Sequence, residues 1–545
     1  MSQDALVIGP YEQELAEVHC GEAGAADVAL EATDASGHLW QAEDGCRISA
    51  AGETVSLWAE LRPPVQRTTC VYRTREGDCW FGSRQGAMRL SGGRWRYFAG
   101  RRWLPDDKVV GIGPAPEGGV RVLTKTGHSR LYSRRITLAD KAAIFESRIA
   151  ARHNRYGFVT SCRLERPDDP SDFVHEASDN DGLWTALYVA AEAFRYAATG
   201  DPDARELARK SLRAMMMLEE KSTIPGFPAR AIVRVGEERV RKSGGEWHPS
   251  ADGEWEWKGD TSSDELDGHY LAFAVYHDLV ATPEEKEEIA AVVRRITDHL
   301  CDNDYCLIDV DGQHTRWAVH GPRYLNHDPA WAPEKGLNSL EILSHLKVAW
   351  HITGLPAYRR CYEDLIRTHH YALNTVFQKI TTPGQVNHSD DELAFVAYYP
   401  LLLYEEDPDL RAIYLLSLER SWQIERPEAC PLWNFIYGAV TGRPCDAERA
   451  VQTLREIPMD LRNWRMLNSH RDDIALDLRA GRFGERQSVS VLPAGERGVM
   501  KWNGNPYRID TGGDGHEEDD GTFFLLPYWL ARHHRIIAEA DSVAI

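Results

Sequence analysis

The chain has 545 residues, 43% of them hydrophobic, with a mean hydropathy of −0.46 and a formal net charge of −21, which is enough for two cores and more than one domain. Long-range repulsion by that charge argues against nucleic acid and an anionic membrane surface as partners and leaves a neutral or locally clamped substrate. No run of about 18 apolar residues occurs, and Met1 to Pro10 lacks the basic start and apolar stretch of a signal peptide.

As written, the chain therefore reads as cytoplasmic, or as secreted or periplasmic if a signal peptide has been removed. Ten scattered cysteines without zinc-ligand spacing read as buried, reduced thiols. No cofactor is expected.

Three segments recur at a period of 40 to 41 residues. Gly37-His38-Leu39-Trp40 leads to Gly45-Cys46-Arg47-Ile48, Gly77-Asp78-Cys79-Trp80 to Gly86-Ala87-Met88-Arg89-Leu90, and Gly118-Gly119-Val120 to Gly127-His128-Ser129-Arg130-Leu131. Each reads as turn, strand, turn, strand, and the period is that of a four-stranded propeller blade. The pattern resembles the regulator-type propeller repeat of bacterial sensor proteins, with Trp40 and Trp80 in the aromatic position and the third copy lacking it. Three units are too few to close a propeller, so residues 1–135 are expected to form a truncated array or β cap. Trp80, Trp95, Tyr97 and Trp103 serve either the repeat core or a sugar ring.

After Thr137 the apolar period changes from 2 to 3.6. Leu183, Leu187, Ala190, Ala191 and Phe194 make one face, closed by Thr199-Gly200-Asp201-Pro202. The same punctuation recurs at Thr353-Gly354-Leu355-Pro356 and Thr441-Gly442-Arg443-Pro444, with variants at Thr282-Pro283-Glu284-Glu285 and Glu406-Asp407-Pro408. Gly stops one helix and Pro opens the next, so each is a joint between antiparallel helices. The joints are unevenly spaced, which favours a closed ring over an equal-repeat solenoid. Residues 136–545 thus resemble the (α/α) toroid of the six-hairpin glycosidases and toroid polysaccharide lyases, with a C-terminal acidic loop and a final helix. The expected class is mainly α, an (α/α)6-type toroid behind a β domain of propeller-like repeats.

In such a ring the loops entering the inner helices converge. Four of them concentrate carboxylates, imidazoles, amides and aromatics: 178–184, 255–270, 316–327 and 387–392. Glycosidic cleavage needs a protonated acid near the leaving oxygen and a second carboxylate, and aromatic rings supply stacking platforms. The candidate catalytic residues are Asp181, Asp260, Asp264, Glu265, His388 and Asp391. Candidate substrate contacts are Trp184, Trp257, Tyr270, Arg316, Trp317, His320, Arg323 and Asn338. Each has a structural alternative: the acids cap helices, and the aromatics and imidazoles fill the core. His388, Asp390 and Asp391 with His320 offer donors suited to a divalent ion, but no paired-His spacing supports such a site.

The resemblance implies a glycoside hydrolase acting on an oligo- or polysaccharide, with the acid drawn from Asp260, Asp264 and Glu265 and its partner from Asp181 or Asp391. The alternatives are a polysaccharide lyase, in which Tyr270, His269, Arg316, His320, Arg323 and Asn387 supply the base and the carboxylate clamp, a sugar epimerase with paired His bases, and a sugar-binding or scaffold protein. Two further expectations follow. Asp181, Asp264 or Glu265, and His388 or Asp391 should line one pocket with Trp257 and Trp317, and the acidic stretch 512–521 forms a loop able to reach it as a lid.

Overall fold

The computed structural model describes residues 5–21, 29–33, 39–42, 46–48, 54–56, 61–382 and 386–540, with backbone alone at 46–48 and 54–56. Gly37, His38 and Gly45 of the first repeat copy lie outside the described residues.

The repeat makes three antiparallel four-stranded sheets. The first joins Glu31–Thr33, Leu39–Gln41, Cys46–Ile48 and Thr54–Ser56, and the second joins Thr68–Arg73, Cys79–Ser83, Gly86–Ser91 and Arg94–Phe98. In the third, Val109–Pro114, Val120–Thr124 and Gly127–Ile136 are completed by the early strand Tyr11–Cys20. The chain turns into a helix at Leu138, so no following residues remain for a fourth strand and the N-terminal segment covers that edge. No closed propeller forms among the described residues.

Matching glycines explain the repeat. Gly86 and Gly127 have φ of 137° and 154°, and an added Cβ would stand 2.7 Å from the Phe98 carbonyl oxygen and 2.1 Å from that of His19. A neighbouring strand thus excludes any side chain at both places. Ser83 and Thr124 hydroxyls donate to the carbonyls of these same glycines. The aromatics are core: Trp80 stacks on Phe98, Trp103 meets Phe98 edge-on, and Tyr97 is buried.

The helical part contains α1 (Leu138–Arg148), α2 (Asp181–Thr199), α3 (Pro202–Lys221), α4 (Ser263–Leu279), α5 (Pro283–Asp302), α6 (Lys335–Thr353), α7 (Pro356–Arg367), α8 (His388–Tyr404), α9 (Pro408–Glu425), α10 (Pro431–Thr441), α11 (Ala447–Glu456) and α12 (Thr522–His533), besides short turns. The even-numbered helices are inner and buried nearly all round, whereas α3, α5, α7 and α11 bury one stripe each. Successive inner helices pack side by side, and α12 returns to α2, so the ring closes.

Every joint read from the sequence is a helix boundary. Gly200, Gly354 and Gly442 end their helices in the left-handed conformation, at φ of 72°, 66° and 64°. Thr282 and Glu285 form a reciprocal capping box, and the Asp407 carboxylate accepts from the Asp409 and Leu410 amides.

The β layers over the ring were not foreseen. A five-stranded sheet runs Val240–Lys242, Asp169–Ala177, Cys162–Arg166, Thr511–Glu518, Arg462–Met466, and a three-stranded one runs Ile232–Arg234, Trp255–Lys258, Trp247–Pro249. The expected acidic lid is instead strand Thr511–Glu518. Three glycines in it suggest a loop, but pairing on both sides imposes the strand. Leu6–Ile8 pairs in parallel with Ile537–Glu539, so the chain's start packs with its end rather than with the β sheets. Among the described residues no helix is long and apolar enough to cross a membrane.

Candidate active site

Inner helices of successive hairpins run in the same direction, so their N-termini gather at one end of the ring. Asp264 stands there half-buried in the first turn of α4. Its Oδ1 accepts from Asn180 Nδ2 at 3.2 Å and its Oδ2 from Ser262 Oγ at 2.6 Å. Asn180 in turn accepts from Arg230 Nη1 at 3.2 Å. Arg230 lines a cleft of about 530 Å³ with Asp179, Lys258, Asp260, Arg316 and Trp317. Trp317 is 46% exposed, Arg316 lies 3.6 Å from Asp260, and Lys258 pairs with Asp179. Asp260, Arg316 and Trp317 are thus brought together in one cleft, which Arg230 and Asn180 link to Asp264.

Behind Asp264 lies a block of buried acids. Glu265, Asp267, Glu341 and Glu392 are each at most 2% exposed. Burial, followed by the charge of Asp264, pushes Glu392 up to about 8. Burial also raises Glu265, Asp267 and Glu341, with Asp264 adding to each. His320 Nδ1 sits 3.0 Å from the Tyr305 carbonyl oxygen, so it must donate there, and Nε2 lies 3.1 Å from Glu341. That pair therefore shares one further proton. His345 Nε2 lies 2.7 Å from Asp267, and burial holds this imidazole well below its usual range.

At the start of α8 the acids divide. Asp390 is half-buried, and burial with the charges of Glu334 and Asp391 pushes it up to about 8. Asp391 is buried and bound at 2.6 Å by Lys379, which also pairs with Glu425. His388 lies 3.1 Å from Glu428. His388, Lys379, Glu425 and Glu428 line a separate hollow of about 520 Å³. Burial pushes Asp391, Glu425 and Glu428 up to about 7 each. The single shared pocket predicted from sequence is therefore replaced by two, and neither Asp264 nor Asp390 is among the residues lining them.

Lys501 reaches this block from the loop before α12. Its Nζ is 3.8 Å from Asp519, 3.7 Å from Asp520 and 3.9 Å from the centre of the Trp184 ring. Trp184 is half-buried, with that ring face taken by the ammonium.

Several expected contacts are structural instead. Trp257 is fully buried against His248 and Phe227. Tyr270 is sealed in the core, its hydroxyl 2.8 Å from Thr297 Oγ1, and burial raises it far above the phenol range. His320 is buried on Glu341. Asn338 donates to the Val319 carbonyl at 2.9 Å and fixes the end of strand His314–Val319. Arg323 is exposed beside Asp304. Asp181 is fully buried and accepts from the Ser178 amide and hydroxyl, both at 2.7 Å, which makes it a brace for its own loop.

Glu334, Glu341, Glu392 and Lys501 are not among the sequence candidates, and Asp390 is one only as a metal ligand. Their signal was a charge inside an otherwise apolar helix, as with Glu341 in α6 and Glu392 in α8, because a buried acid needs a reason to be there.

Three groups among the described residues bring possible metal ligands within 4.8 Å of one another: His153, Cys162 and Glu518; His277, Asp278 and His351; and His388, Glu425 and Glu428. In the last, Lys379 and His388 already partner the two glutamates. His320 does not join His388, being held by Glu341 and Tyr305.

No protein-family model matches the chain, and no curated protein sequence matches it. Among solved structures it is similar to a thermostable endoglucanase mutant from Alicyclobacillus acidocaldarius, with 13% identity, a TM-score of 0.40 and coverage of 86% of this chain and 94% of that one. It is similar to a sugar epimerase from a ruminal bacterium at 11% identity and a TM-score of 0.37, covering 72% and 97%. It is also similar to a family 76 glycoside hydrolase from a bovine Bacteroides thetaiotaomicron strain at 10% identity and a TM-score of 0.26, covering 86% and 97%. Likeness at these scores assigns no activity.

Proposed function

We propose that the chain is a carbohydrate-active enzyme of the hydrolase kind, cleaving glycosidic bonds at the end of the ring where the inner helices begin. The observation that supports this reading is that two half-buried carboxyls, Asp264 at the start of α4 and Asp390 at the start of α8, both act by charge on the buried Glu341 or feel its charge. Asp390, pushed up by burial to about 8, is the carboxyl we assign as the general acid. Asp264, fixed by Asn180 and Ser262, is the second carboxylate that activates water or attacks the sugar. The cleft beside Asp264 gives the glycan an exposed indole at Trp317 for stacking and polar groups at Arg316, Asp260 and Lys258 for hydroxyl contacts. Burial, and after it the charges of Glu334 and Asp391, favours the protonated form of Asp390.

The lyase alternative loses support from two of its bases. Tyr270 and His320 are at most 1% exposed and are already bonded to Thr297 and to Glu341, which leaves neither free to meet a substrate proton. The epimerase alternative needs a pair of free imidazoles, and at this block His320 and His345 are buried and bonded to Glu341 and Asp267.

The test is a panel of neutral and uronate-containing polysaccharides, scored both for new reducing ends and for the ultraviolet absorbance of unsaturated uronides. The hydrolase reading predicts reducing ends without that absorbance, and their loss by about 10²-fold or more in Asp264→Asn and Asp390→Asn. Product that absorbs as an unsaturated uronide would make the enzyme a lyase, and binding without turnover would make it a sugar-binding protein.

A further inference from the structure

A second cleft, of about 690 Å³, lies between the N-terminal sheets and the ring, away from the acidic block. Its walls come from strand Tyr11–Cys20, residues 101–103, α1 and the turn that follows it, residues 458–464 and the end of strand Thr511–Glu518. In a chain of net charge −21 this cleft is arginine-rich, lined by Arg101, Arg102, Arg148, Arg152 and Arg462.

The acids on the same wall do not neutralise all five. Asp460 is occupied by Arg462 and the Trp464 indole. Both Glu518 oxygens are held by Arg152. Glu14 is taken by Arg89 and Arg96, which stand outside the cleft, and Asp168 is exposed. Arg101, Arg102 and Arg148 have no ion-pair partner among the described residues.

Arg102 is the decisive member. It is 3% exposed, one amino group donates to the Arg497 carbonyl at 2.7 Å, and its Nε and Nη2 have no hydrogen-bond partner. A buried guanidinium with unmet donors is costly. Burial pushes Arg102 down to about 10, and burial likewise lowers Arg148. Among the described residues the Arg148 guanidinium donates to the Met459 carbonyl and lies over the Phe145 ring. An oxyanion would meet the unpaired donors of Arg102 and add to the partial compensation that Asp460 and Glu518 give the two arginines, since arginine's fork matches carboxylate, phosphate and sulfate oxygens.

We propose that this cleft is a binding site for a small oxyanion-bearing ligand, a phosphate, a sulfate or a carboxylate, held by Arg102 and Arg148 with Arg101 at the entrance. Glu518 on its wall is followed directly by Asp519 and Asp520, the partners of Lys501, so the ligand would sit one strand end away from the acidic block.

Isothermal titration of the full chain with inorganic phosphate, sulfate, glucose 6-phosphate and glucuronate tests this. At least one probe is expected to saturate, with Arg102→Gln and Arg148→Gln each weakening it by about tenfold or more and Asp264→Asn leaving it unchanged. Tighter binding of glucose 6-phosphate than of phosphate identifies an ester as the ligand, and equal binding identifies the free ion. Should Arg102→Gln fail to fold, Arg148→Gln and the exposed Arg101→Gln carry the comparison. No saturation by any of the four probes, or affinities untouched by these substitutions, would overturn the proposal.

Discussion

The N-terminal sheets and the mouth of the helical ring handle their polar groups differently. In the sheets, aromatic and hydroxyl side chains are committed to structure: Trp95 and Trp103 donate to the Leu61 and Gly495 carbonyls, and Ser83 and Thr124 bridge their own hairpins, while the unmet donors there belong largely to arginines. In the ring, carboxyls are buried in excess of their partners. Every buried carboxylate oxygen without a hydrogen bond among the described residues belongs to it, including those of Asp181, Glu265, Asp267, Glu341 and Glu392. A fold built only for stability would replace such groups with apolar ones. The contrast lies in the carboxyls, whose unpartnered buried oxygens among the described residues fall in the ring and not in the sheets.

The sharpest way to probe that contrast is at Lys379, the one ammonium paired with both Asp391 and Glu425. Lys379→Met leaves two buried acids without their cation and is expected to lower stability by about 3–5 kcal/mol near pH 8, read as the midpoint of urea unfolding. A loss under about 1 kcal/mol would mean that the acids are neutral throughout and that the pair is electrostatically idle.

On the sheet side, Gly127→Ala forces a Cβ against the His19 carbonyl at φ 154°. It should cost about 1–3 kcal/mol while leaving turnover per folded molecule unchanged. A fall in kcat with no fall in stability would tie the sheets to catalysis and break the division.

A smaller effect is expected from pH. Asp390 and Glu392 are raised to about 8 and Asp391, Glu425 and Glu428 to about 7, so the folded chain keeps protons that the unfolded chain releases near pH 4. Unfolding therefore releases protons, and stability is lost as pH rises through about 7 to 8. The melting temperature should fall between about pH 6 and 8.5, less steeply in Asp390→Asn. A melting temperature that rises over this range would contradict the assigned protonation states.

Much of the architecture was legible in the sequence because it is written in local signals. Gly200, Gly354 and Gly442 end helices wherever they stand, and Thr282 with Glu285 caps one by spacing alone. The 41-residue repeat was readable for the same reason, since Gly86 and Gly127 answer to a turn that needs them. The β layers over the ring were not legible, because Thr511–Glu518 is extended only through its neighbours. The site was half legible. Asp264 was chosen because acids crowd the start of α4, yet Glu341 and Glu392 lie deep inside helices, where only the fold shows that they face Asp264 and not a surface cation. Trp257 and Tyr270 misled because an aromatic beside an acid in sequence can point the opposite way along a strand or helix.

The central claim is that Asp264 and Asp390 form the reacting pair, and the pH dependence of kcat/KM for wild type, Asp264→Asn and Asp390→Asn on a cleaved glycan tests it most directly. The account predicts a wild-type alkaline limb near pH 8, set by Asp390, its disappearance in Asp390→Asn, and a fall of about 10²-fold or more in both variants with melting temperatures preserved. Near-wild-type turnover in both variants, with the alkaline limb intact in Asp390→Asn, would contradict it.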